Sequence, residues 1–537
     1  MNLRDSLLDG LKSLPGRREF HIHTLVSAPS KTQELFPYAS PRPRVSQQHI
    51  IVLVSEQPSV AQPRVFVTAV EAYFYLIPST RSGILYVSKV DSTGQGQKPS
   101  PTSTVVREFI RFYVDPDTRP NLGGTGGQDE RVWVHVFARA QGQYLFPNSA
   151  HFEGKKPLND LKLCGWWKSV LTSVAEQLSS RAAGKEGERI KLWHVLPGLN
   201  ELEAFQALRS ASSTGLNPPS GSDPSSVTWT YGHPSTQTVD DVDSIPLPCP
   251  ADGKEGSSSS DGGHNLGRFI PSFEDDPKAR FMDEIAHTTD ADIIKSPVRK
   301  KAKRASTDED VQERRKKESP WAGELGKVSP GEYWERMSFR QECVAGIVTG
   351  FFAMGYVSVP TRLGAGGLDP STSGSQPGQV SSNITKRVMN SLMTGIEFST
   401  VERAVRGTET LEEAIKGMCE GISVGVVEED QPRLGEGRRR ESTPERTEGH
   451  HHLAFPPSTP PRKAGHGGAG SVATEISPKA FPGPNTSLET YNCWIYGSVC
   501  VDNPLRASKP LREREGSEGG SDRKITVLTA RKKRKKE

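Results

Sequence analysis

Three consecutive segments near the amino terminus constrain the fold of this chain most strongly. They cover residues 49–55, 64–77 and 84–90, are rich in Val, Ile, Tyr and Phe, and are bounded by Pro, Gly or Ser. Short segments of this composition are typical of buried β-strands. The chain is therefore expected to begin by building a β-sheet.

Helices are expected to pack on this sheet. The residues Thr102-Ser103-Thr104 predict the cap of an amphipathic helix over 105–113. After a glycine-rich turn, a further strand is predicted over 132–138 and a second helix over 161–178. The pattern predicts an α+β fold in which a central β-sheet is surrounded by helices.

Composition limits how much of the chain can form this fold. Only 34% of the 537 residues are apolar, and the chain contains 51 Gly and 41 Pro. Such a low apolar content in a globular protein indicates disordered insertions. They are predicted near residues 210–226, 251–263, 296–317 and 369–382.

These shifts in composition divide the chain into three parts. We interpret residues 1–427 as a single discontinuous domain, 428–524 as a mostly disordered low-complexity region and 525–537 as a basic tail. An aromatic island at 491–501 interrupts the second part and has no assigned place. The apolar stretch 344–359 contains three glycines and is shorter than the roughly 20 residues that cross a bilayer, so no membrane association is expected.

Charge and cysteine usage favour a nuclear protein without a metal. The net charge is only +4, but basic residues cluster at 298–304 and 531–536, which is typical of nuclear import signals or of contacts with acidic surfaces. A solvated charged tail is the alternative explanation for either run. The six cysteines include no CxxC pair, so neither a disulfide framework nor a zinc site is predicted.

Two features near the middle of the chain could be functional, and each also has a plainer explanation. Asp276 followed by Pro277 predicts a helix start, with Asp276 as the N-cap, and the helix dipole weakens such a carboxylate as a base. The adjacent Trp166 and Trp167 point about 100° apart on a helix. One of them could line a cleft, or one could lie in the core with the other half-exposed.

Residues 102–107, at the start of the helix predicted over 105–113, offer a third candidate site. Free backbone N–H groups with Arg107 one turn further along are the arrangement that receives a pyrophosphate. The segment lacks the glycine-rich signatures of nucleotide-binding loops. Most helix starts of this kind bind no ligand.

Together these segments resemble one family. Ser88-Lys89-Val90-Asp91, the residues 137–147, Trp166-Trp167 and the residues 275–281 occur in the order found in the fungal histone H3 acetyltransferases known as regulators of Ty1 transposition. The resemblance spans about residues 3–422 outside the insertions, and the basic tail is similar too. The order of the motifs is far more specific than any one of them.

The resemblance implies a fold and an activity. The fold would be a mixed β-sheet surrounded by helices, similar to the CREB-binding-protein acetyltransferases, with 1–427 as the catalytic domain. The reaction would transfer acetyl from acetyl-CoA to a lysine of newly synthesised histone H3, in chromatin assembly, DNA replication and the DNA damage response. The implied partners are histone H3–H4 and histone chaperones of the nucleosome-assembly and anti-silencing types, without specific DNA binding and without a metal.

The resemblance also implies site residues. The candidate catalytic carboxylate falls on Asp276, with Asp275 beside it, Lys278 matches a self-acetylated lysine, and Trp167 matches a residue near the acceptor tunnel. The implied contacts with acetyl-CoA are Val90, Asp91, Ser92, Ser103, Thr104, Val105, Val106, Arg107, Phe137, Arg139, Gln141, Lys156, Pro157, Leu158 and Trp166.

The chemistry accounts for these residue types. A lysine, with a pKa near about 10.4, must lose a proton before its amine attacks a thioester. An aromatic channel formed by Tyr144, Trp166 and Trp167 would disfavour the ammonium form. Because Asp276 also caps a helix, we favour a role for the Asp pair in orienting a water or the acceptor amine over general-base catalysis.

Two other functions are compatible with parts of the sequence. A non-catalytic scaffold that binds histones or chaperones could have the same fold. A DNA-binding regulator could use the two basic runs, although charge alone gives only non-specific affinity for DNA.

Overall fold

The computed structural model describes residues 2–39, 42–122, 129–182, 187–212, 227–237, 244–249, 266–287, 325, 328–340, 347–358, 378–420 and 488–504. Its helices are α1 (Leu3–Leu11), α2 (Thr102–Val114), α3 (Asp160–Ala182), α4 (Glu201–Ser212), α5 (Leu266–Phe269), α6 (Pro277–His287), α7 (Pro330–Met337), α8 (Ser382–Thr394), α9 (Val401–Glu420) and α10 (Leu488–Thr490). Its strands are β1 (Gly16–Ser27), β2 (Ser30–Thr32), β3 (Val45–Gln57), β4 (Val65–Ile77), β5 (Ser82–Ser92), β6 (Glu130–Ala138), β7 (Arg189–Val195), β8 (Trp229–Tyr231), β9 (Gly350–Ser358), β10 (Gln379–Val380) and β11 (Tyr496–Asn503).

All the described strands belong to one mixed sheet. Its order is β10-β1-β3-β4-β5-β6-β9-β7-β8, with β11 paired to β1 and β2 paired to β3. The pairs β5–β6 and β7–β8 are parallel, whereas β9 runs antiparallel to both β6 and β7. Strands β5 to β8 therefore all run in one direction.

The sheet is covered on both faces because its strands alternate two sets of apolar residues. In β3, Ile50 and Val52 pack into the core shared with α1, α2, α3 and α4. Their neighbours Ile51 and Leu53 pack into the core under α8 and α9, on the other face. The helices α5, α6 and α7 form a further core on that second face, where they pack against β7 and β9.

The fold class predicted from the sequence is confirmed, and so are the early elements. The three strand-like segments form β3, β4 and β5, and the strand predicted over 132–138 is β6. The prediction that residues 102–104 cap the helix over 105–113 was wrong in detail, because this helix, α2, already begins at Thr102 and its N-cap, Pro101, makes no side-chain cap bond.

Several sequence predictions concern segments that the structure describes only in part. The insertions predicted at 251–263 and 296–317 lie outside the described residues, as does the basic tail 525–537. The insertions near 210–226 and 369–382 overlap the described chain only at the end of α4 and at β10 with the start of α8. No described helix is long and apolar enough to cross a membrane.

The aromatic island at 491–501 builds an edge of the sheet. β11 pairs antiparallel with β1, from Gly16 opposite Asn503 to His23 opposite Tyr496. The hydroxyl of Tyr491 lies 3.0 Å from Nε2 of His23. Strand β1 thereby gains a neighbour from a segment more than 470 residues away in sequence.

Acid should release this carboxy-terminal strand. Burial lowers the pKa of His21 to about 4 and that of His23 to about 3, in each case with Arg64 as a second cause. Both rings are therefore neutral in the fold. Their stabilising effect is full above pH 6.5 and falls by about 1.4 kcal/mol per histidine for each pH unit down to the folded pKa.

Hydrogen exchange measures this effect directly. The protection factors of the amides of 496–503, which correct for the pH dependence of intrinsic exchange, should be high at pH 7 and much lower at pH 5, when opening of this strand takes up protons. Replacing the exposed His151 with Gln should leave the pH dependence unchanged. Equal protection of these amides at both pH values would contradict the account.

Candidate active site

The carboxyl ends of β5 and β6 lie side by side at one edge of the sheet. The two strands are parallel, with Val87 opposite Val136, and α2 connects them across one face. This βαβ arrangement places the amino terminus of α2 at the same edge. In sheets with parallel strands, ligands bind outside the carboxyl ends, where helix amino termini point.

The first turn of α2 has free hydrogen-bond donors. No described residue accepts a hydrogen bond from the backbone N–H of Ser103 or Thr104. Arg107 lies along this turn, with Nε donating to the Ser103 carbonyl and Nη2 donating to Oγ1 of Thr104, both over 3.3 Å. Free N–H groups beside a guanidinium suit an anionic ligand. The side chains of Val105 and Val106 point away from this edge into the core.

The two adjacent tryptophans of α3 have different environments. The indole N–H of Trp166 donates to Oγ of Ser103 over 2.8 Å, so the half-buried Trp166 lies beside the start of α2. Trp167 is buried in the core under α2 and α3. Their rings meet edge to face, with centroids 4.7 Å apart.

Asp91, at the end of β5, organises the loop that follows β6. Its Oδ2 accepts the backbone N–H groups of residues 144, 145 and 146 over 2.8, 2.9 and 3.1 Å. Its Oδ1 accepts from the backbone of Ser92 and from Nζ of Lys155, each over 2.8 Å. The ion pair with Lys155 is buried, with 4% of the Asp91 side chain and 6% of the Lys155 side chain exposed. The Asp91 carboxylate therefore positions backbone, with both of its oxygens used within the chain.

Tyr144 and its neighbours form the rest of this loop. The Tyr144 hydroxyl donates to the carbonyl of Arg139. Burial raises the pKa of Tyr144 to about 12, with the Asp91 charge as a second cause, so the phenol stays protonated at neutral pH. The predicted contacts at Gln141 and at residues 156–158 lie on exposed parts of the same connection.

Asp276 and Lys278 form a buried pair at the start of α6. Oδ1 of Asp276 accepts the backbone N–H of Lys278 over 2.8 Å, and Oδ2 forms an ion pair with Nζ of Lys278. The helix begins at Pro277, so Asp276 is the N-cap that the sequence predicted. Asp276 is 1% exposed and Lys278 is 2% exposed.

Phe351 links this pair to the sheet edge. Its ring centroid lies 4.7 Å from Nζ of Lys278 and 4.8 Å from the ring of Phe137, which is near the end of β6. Phe273 covers the same ammonium group at 5.4 Å. A single aromatic ring thus separates the Asp276–Lys278 pair from Phe137, one of the predicted cofactor contacts.

Comparison with known proteins identifies the family. A family model for the histone acetyltransferase KAT11-type domain matches residues 7–119 and 125–414. The chain belongs to this family. The match covers the sheet edge, α2, α3 and the Asp276–Lys278 pair, and it confirms the resemblance found in the sequence.

The chain is also similar to two relatives and, in fold, to one solved structure. The chain is 26% identical over 361 residues to histone acetyltransferase rtt109 of Aspergillus flavus, a match that covers 63% of this chain and about half, 54%, of the relative. It is 23% identical over 365 residues to histone acetyltransferase rtt109 of Schizosaccharomyces pombe, covering 67% of this chain and 71% of the relative. The crystal structure of Rtt109 from Aspergillus fumigatus shares the fold, with a TM-score of 0.53, 23% identity, and coverage of 78% of this chain and 96% of that one.

The two neighbouring aspartates of this KAT11-type chain differ sharply. Asp275 adopts a left-handed backbone conformation, with φ +63°, and its side chain is 67% exposed. Its carboxylate lies 3.3 Å from Nζ of Lys89, which also pairs with Glu71 over 2.8 Å. Asp275 is thus the carboxylate that faces solvent, whereas Asp276 is buried against Lys278.

Sequence reasoning missed several residues of this region. Lys155 pairs with Asp91, and Phe273 and Phe351 flank the ammonium group of Lys278. Only these contacts in the folded chain identify the three residues. Two buried histidines, His135 and His233, also lie near Lys278, and burial followed by the Lys278 charge lowers the pKa of each, that of His135 to about 3. Among the described residues, no group of three or more His, Cys, Asp or Glu side chains is arranged to hold a metal ion.

Proposed function

We propose that this KAT11-type protein is a protein-lysine acetyltransferase that transfers acetyl from acetyl-CoA to a lysine of newly synthesised histone H3. The observation that carries the proposal is the first turn of α2, where the free N–H groups of Ser103 and Thr104 meet Arg107 and Trp166. The family to which the chain belongs supplies the class of reaction. The names of its relatives make a histone the first acceptor to test.

The residues of the sheet edge fit acetyl-CoA. Backbone N–H groups at a helix start and a guanidinium are suitable donors for a pyrophosphate. Trp166 offers a ring beside these donors, and Asp91 holds the loop after β6 at the carboxyl end of β5, the strand that leads to α2. The predicted cofactor contacts from Val90 to Trp166 are proposed to act here as backbone donors, ring contacts or positioning groups.

The transfer requires a neutral acceptor amine. The amine nitrogen forms a bond to the thioester carbonyl carbon, the carbon–sulfur bond breaks, and the amine proton leaves while the CoA thiolate takes up a proton. We propose that Tyr144 and Trp166 provide an apolar surface that disfavours an ammonium ion, with the buried Trp167 packed against Trp166. We propose that Asp275, which is exposed, orients the acceptor amine or a water, and that Asp276 holds Lys278.

Lys278 is proposed as a site of self-acetylation. Acetylation of Nζ would remove the positive charge that pairs with Asp276 and leave the amide between the rings of Phe273 and Phe351. Acetylation would therefore change the charge of this buried pair by a full unit. Mass spectrometry of the purified protein after incubation with acetyl-CoA would detect it.

We further propose that the protein acts in the nucleus on H3–H4, together with histone chaperones of the nucleosome-assembly and anti-silencing types. The basic runs at 298–304 and 531–536 support nuclear import. The proposed setting is chromatin assembly during DNA replication and the DNA damage response.

Calorimetric titration with acetyl-CoA tests the proposed site. An acetyltransferase should bind acetyl-CoA saturably, and CoA should compete for the same site. A scaffold that only binds histones or chaperones would bind H3–H4 without measurable affinity for acetyl-CoA. The absence of acetyl-CoA binding by the folded full chain would therefore favour the scaffold.

Replacing Trp166 with Phe should weaken acetyl-CoA binding moderately. The substitution keeps an aromatic ring but removes the N–H group that donates to Ser103 at the start of α2. This hydrogen bond lies within the protein and contributes to binding by positioning the start of α2, so the KM for acetyl-CoA should rise by at most roughly fivefold, the equivalent of about 1 kcal/mol. Kinetics at varied acetyl-CoA measure it, with Trp229→Phe, which removes a different indole donor, as the control. An unchanged KM in Trp166→Phe would contradict this role.

A further inference from the structure

The loop from β5 to α2 is fixed by hydrogen bonds to two strands of the sheet. Its residues 93–101 determine where the free N–H groups of α2 lie, because α2 begins at Thr102. Arg18 donates to the carbonyl of Gln97 through Nη1 over 3.0 Å and to the carbonyl of Pro99 through Nη2 over 2.9 Å. The N–H of Gln97 donates to Oε1 of Glu56 over 3.0 Å.

Arg18 and Glu56 form an ion pair that is shielded from solvent. Arg18 lies in β1 and Glu56 in the neighbouring β3, with Nη1 and Oε1 3.3 Å apart and side-chain exposures of 0% and 1%. Removing two charges from water is costly, and well-packed apolar residues often replace such pairs without loss of stability. The contribution specific to this pair is therefore its set of hydrogen bonds, three to the loop and one from Nη2 of Arg18 to the carbonyl of Pro15 over 3.2 Å.

The loop also has little space to move around this pair. A Cβ added to Gly96 would lie 2.8 Å from Oε2 of Glu56 and 2.8 Å from Cγ1 of Val67, so this position accepts only glycine without a shift. At the start of the loop, Oγ1 of Thr93 donates to the carbonyl of Phe66 over 2.7 Å. The loop is thus anchored at its start by Thr93 and in its second half by the ion pair.

We infer that Arg18 and Glu56 are positioning residues for acetyl-CoA: through the carbonyl groups of Gln97 and Pro99 they fix the place of the first turn of α2. The inference rests on the proposed function of that turn. The pair acts through the loop that it holds, and no direct contact with acetyl-CoA is required of it. A helix start binds an anion well only when its N–H groups are already in place, because ordering them on binding would weaken the affinity.

The double variant Arg18→Met/Glu56→Leu separates positioning from stability. It removes both charges together, so no unpaired charge stays buried, while the hydrogen bonds to the loop are lost. We expect the melting temperature to stay close to that of the wild type. The Kd and KM for acetyl-CoA should rise about tenfold, because binding must then order the loop that two charge-assisted hydrogen bonds otherwise hold in place, and kcat at saturating acetyl-CoA should change less than about twofold.

Two single variants complete the experiment. Arg17→Met applies the same substitution to the adjacent arginine, whose side chain is 87% exposed, and should leave the Kd unchanged. Arg18→Lys keeps a cation that can reach part of the loop, so its Kd should lie between those of the wild type and the double variant. If the double variant does not fold, Arg18→Lys alone must still raise the Kd, with faster hydrogen exchange in residues 93–101.

The outcomes distinguish this inference from the proposed function. Wild-type protein that binds acetyl-CoA, together with a folded double variant that binds it equally well, would overturn the positioning role alone. A wild-type protein that binds no acetyl-CoA would overturn the proposed function, and the inference with it. A fall in kcat with an unchanged Kd would also contradict the inference, because a smaller folded fraction lowers the rate without changing the affinity of the folded sites.

Discussion

Replacing Asp91 with Ala should destabilise the protein by about 3–5 kcal/mol and abolish measurable acetyl-CoA binding. The substitution leaves the ammonium group of Lys155 buried without its counter-ion. It also removes the acceptor for three consecutive backbone N–H groups at residues 144–146. The loop after β6 would therefore lose its attachment to β5.

Chemical denaturation and calorimetry measure the two parts of this prediction. Asp9→Ala, which removes a carboxylate that is 64% exposed, should change the unfolding free energy by less than about 0.5 kcal/mol. Adding Lys155→Met to Asp91→Ala should recover part of the stability, because no buried charge remains, but should not restore binding. A stable Asp91→Ala variant with wild-type affinity for acetyl-CoA would show that the loop is held by other contacts.

Asp276→Asn is expected to have the second-largest effect. Asn is as good an N-cap as Asp, so α6 should still begin at Pro277. The buried ammonium group of Lys278, however, loses its counter-ion between the rings of Phe273 and Phe351. Breaking a buried pair by removing one partner costs about 3–5 kcal/mol, which denaturation would measure.

The second variant Asp276→Asn/Lys278→Met separates stability from catalysis. It removes both charges and should recover most of the unfolding free energy. If Asp276 mainly holds Lys278, acetyl transfer by this double variant should fall less than about tenfold. A loss of roughly a hundredfold or more at restored stability would instead identify Asp276 as a general base.

Part of the fold could be predicted because local sequence determines it. The strands β3, β4 and β5 are buried on both faces and read as continuous apolar segments. Strand β1 is much harder to predict from the sequence, because its apolar pattern is interrupted by Arg18, His21 and His23. These side chains are buried only because Glu56 and two tyrosines near the carboxy terminus provide their partners.

The sequence predicts single features of the candidate site but not the contacts between them. The helix cap at Asp276 follows from neighbouring residues, and the structure has it. The order of the motifs places the remaining segments only by resemblance to a family. The pairing of Asp91 with Lys155, and of both with the loop at 144–146, depends on residues up to 64 positions apart, so no local pattern shows it.

Acetyl transfer to H3 tests the central claim most directly. The purified 537-residue chain would be incubated with isotope-labelled acetyl-CoA, H3–H4 and a histone chaperone, and the labelled lysines would be mapped by mass spectrometry. The account predicts labelled acetyl groups on lysine of H3, at a rate lowered by Trp166→Phe at subsaturating acetyl-CoA and by the double variant Arg18→Met/Glu56→Leu. Unlabelled H3 in the presence of folded protein that binds H3–H4 would contradict it and favour a non-catalytic scaffold.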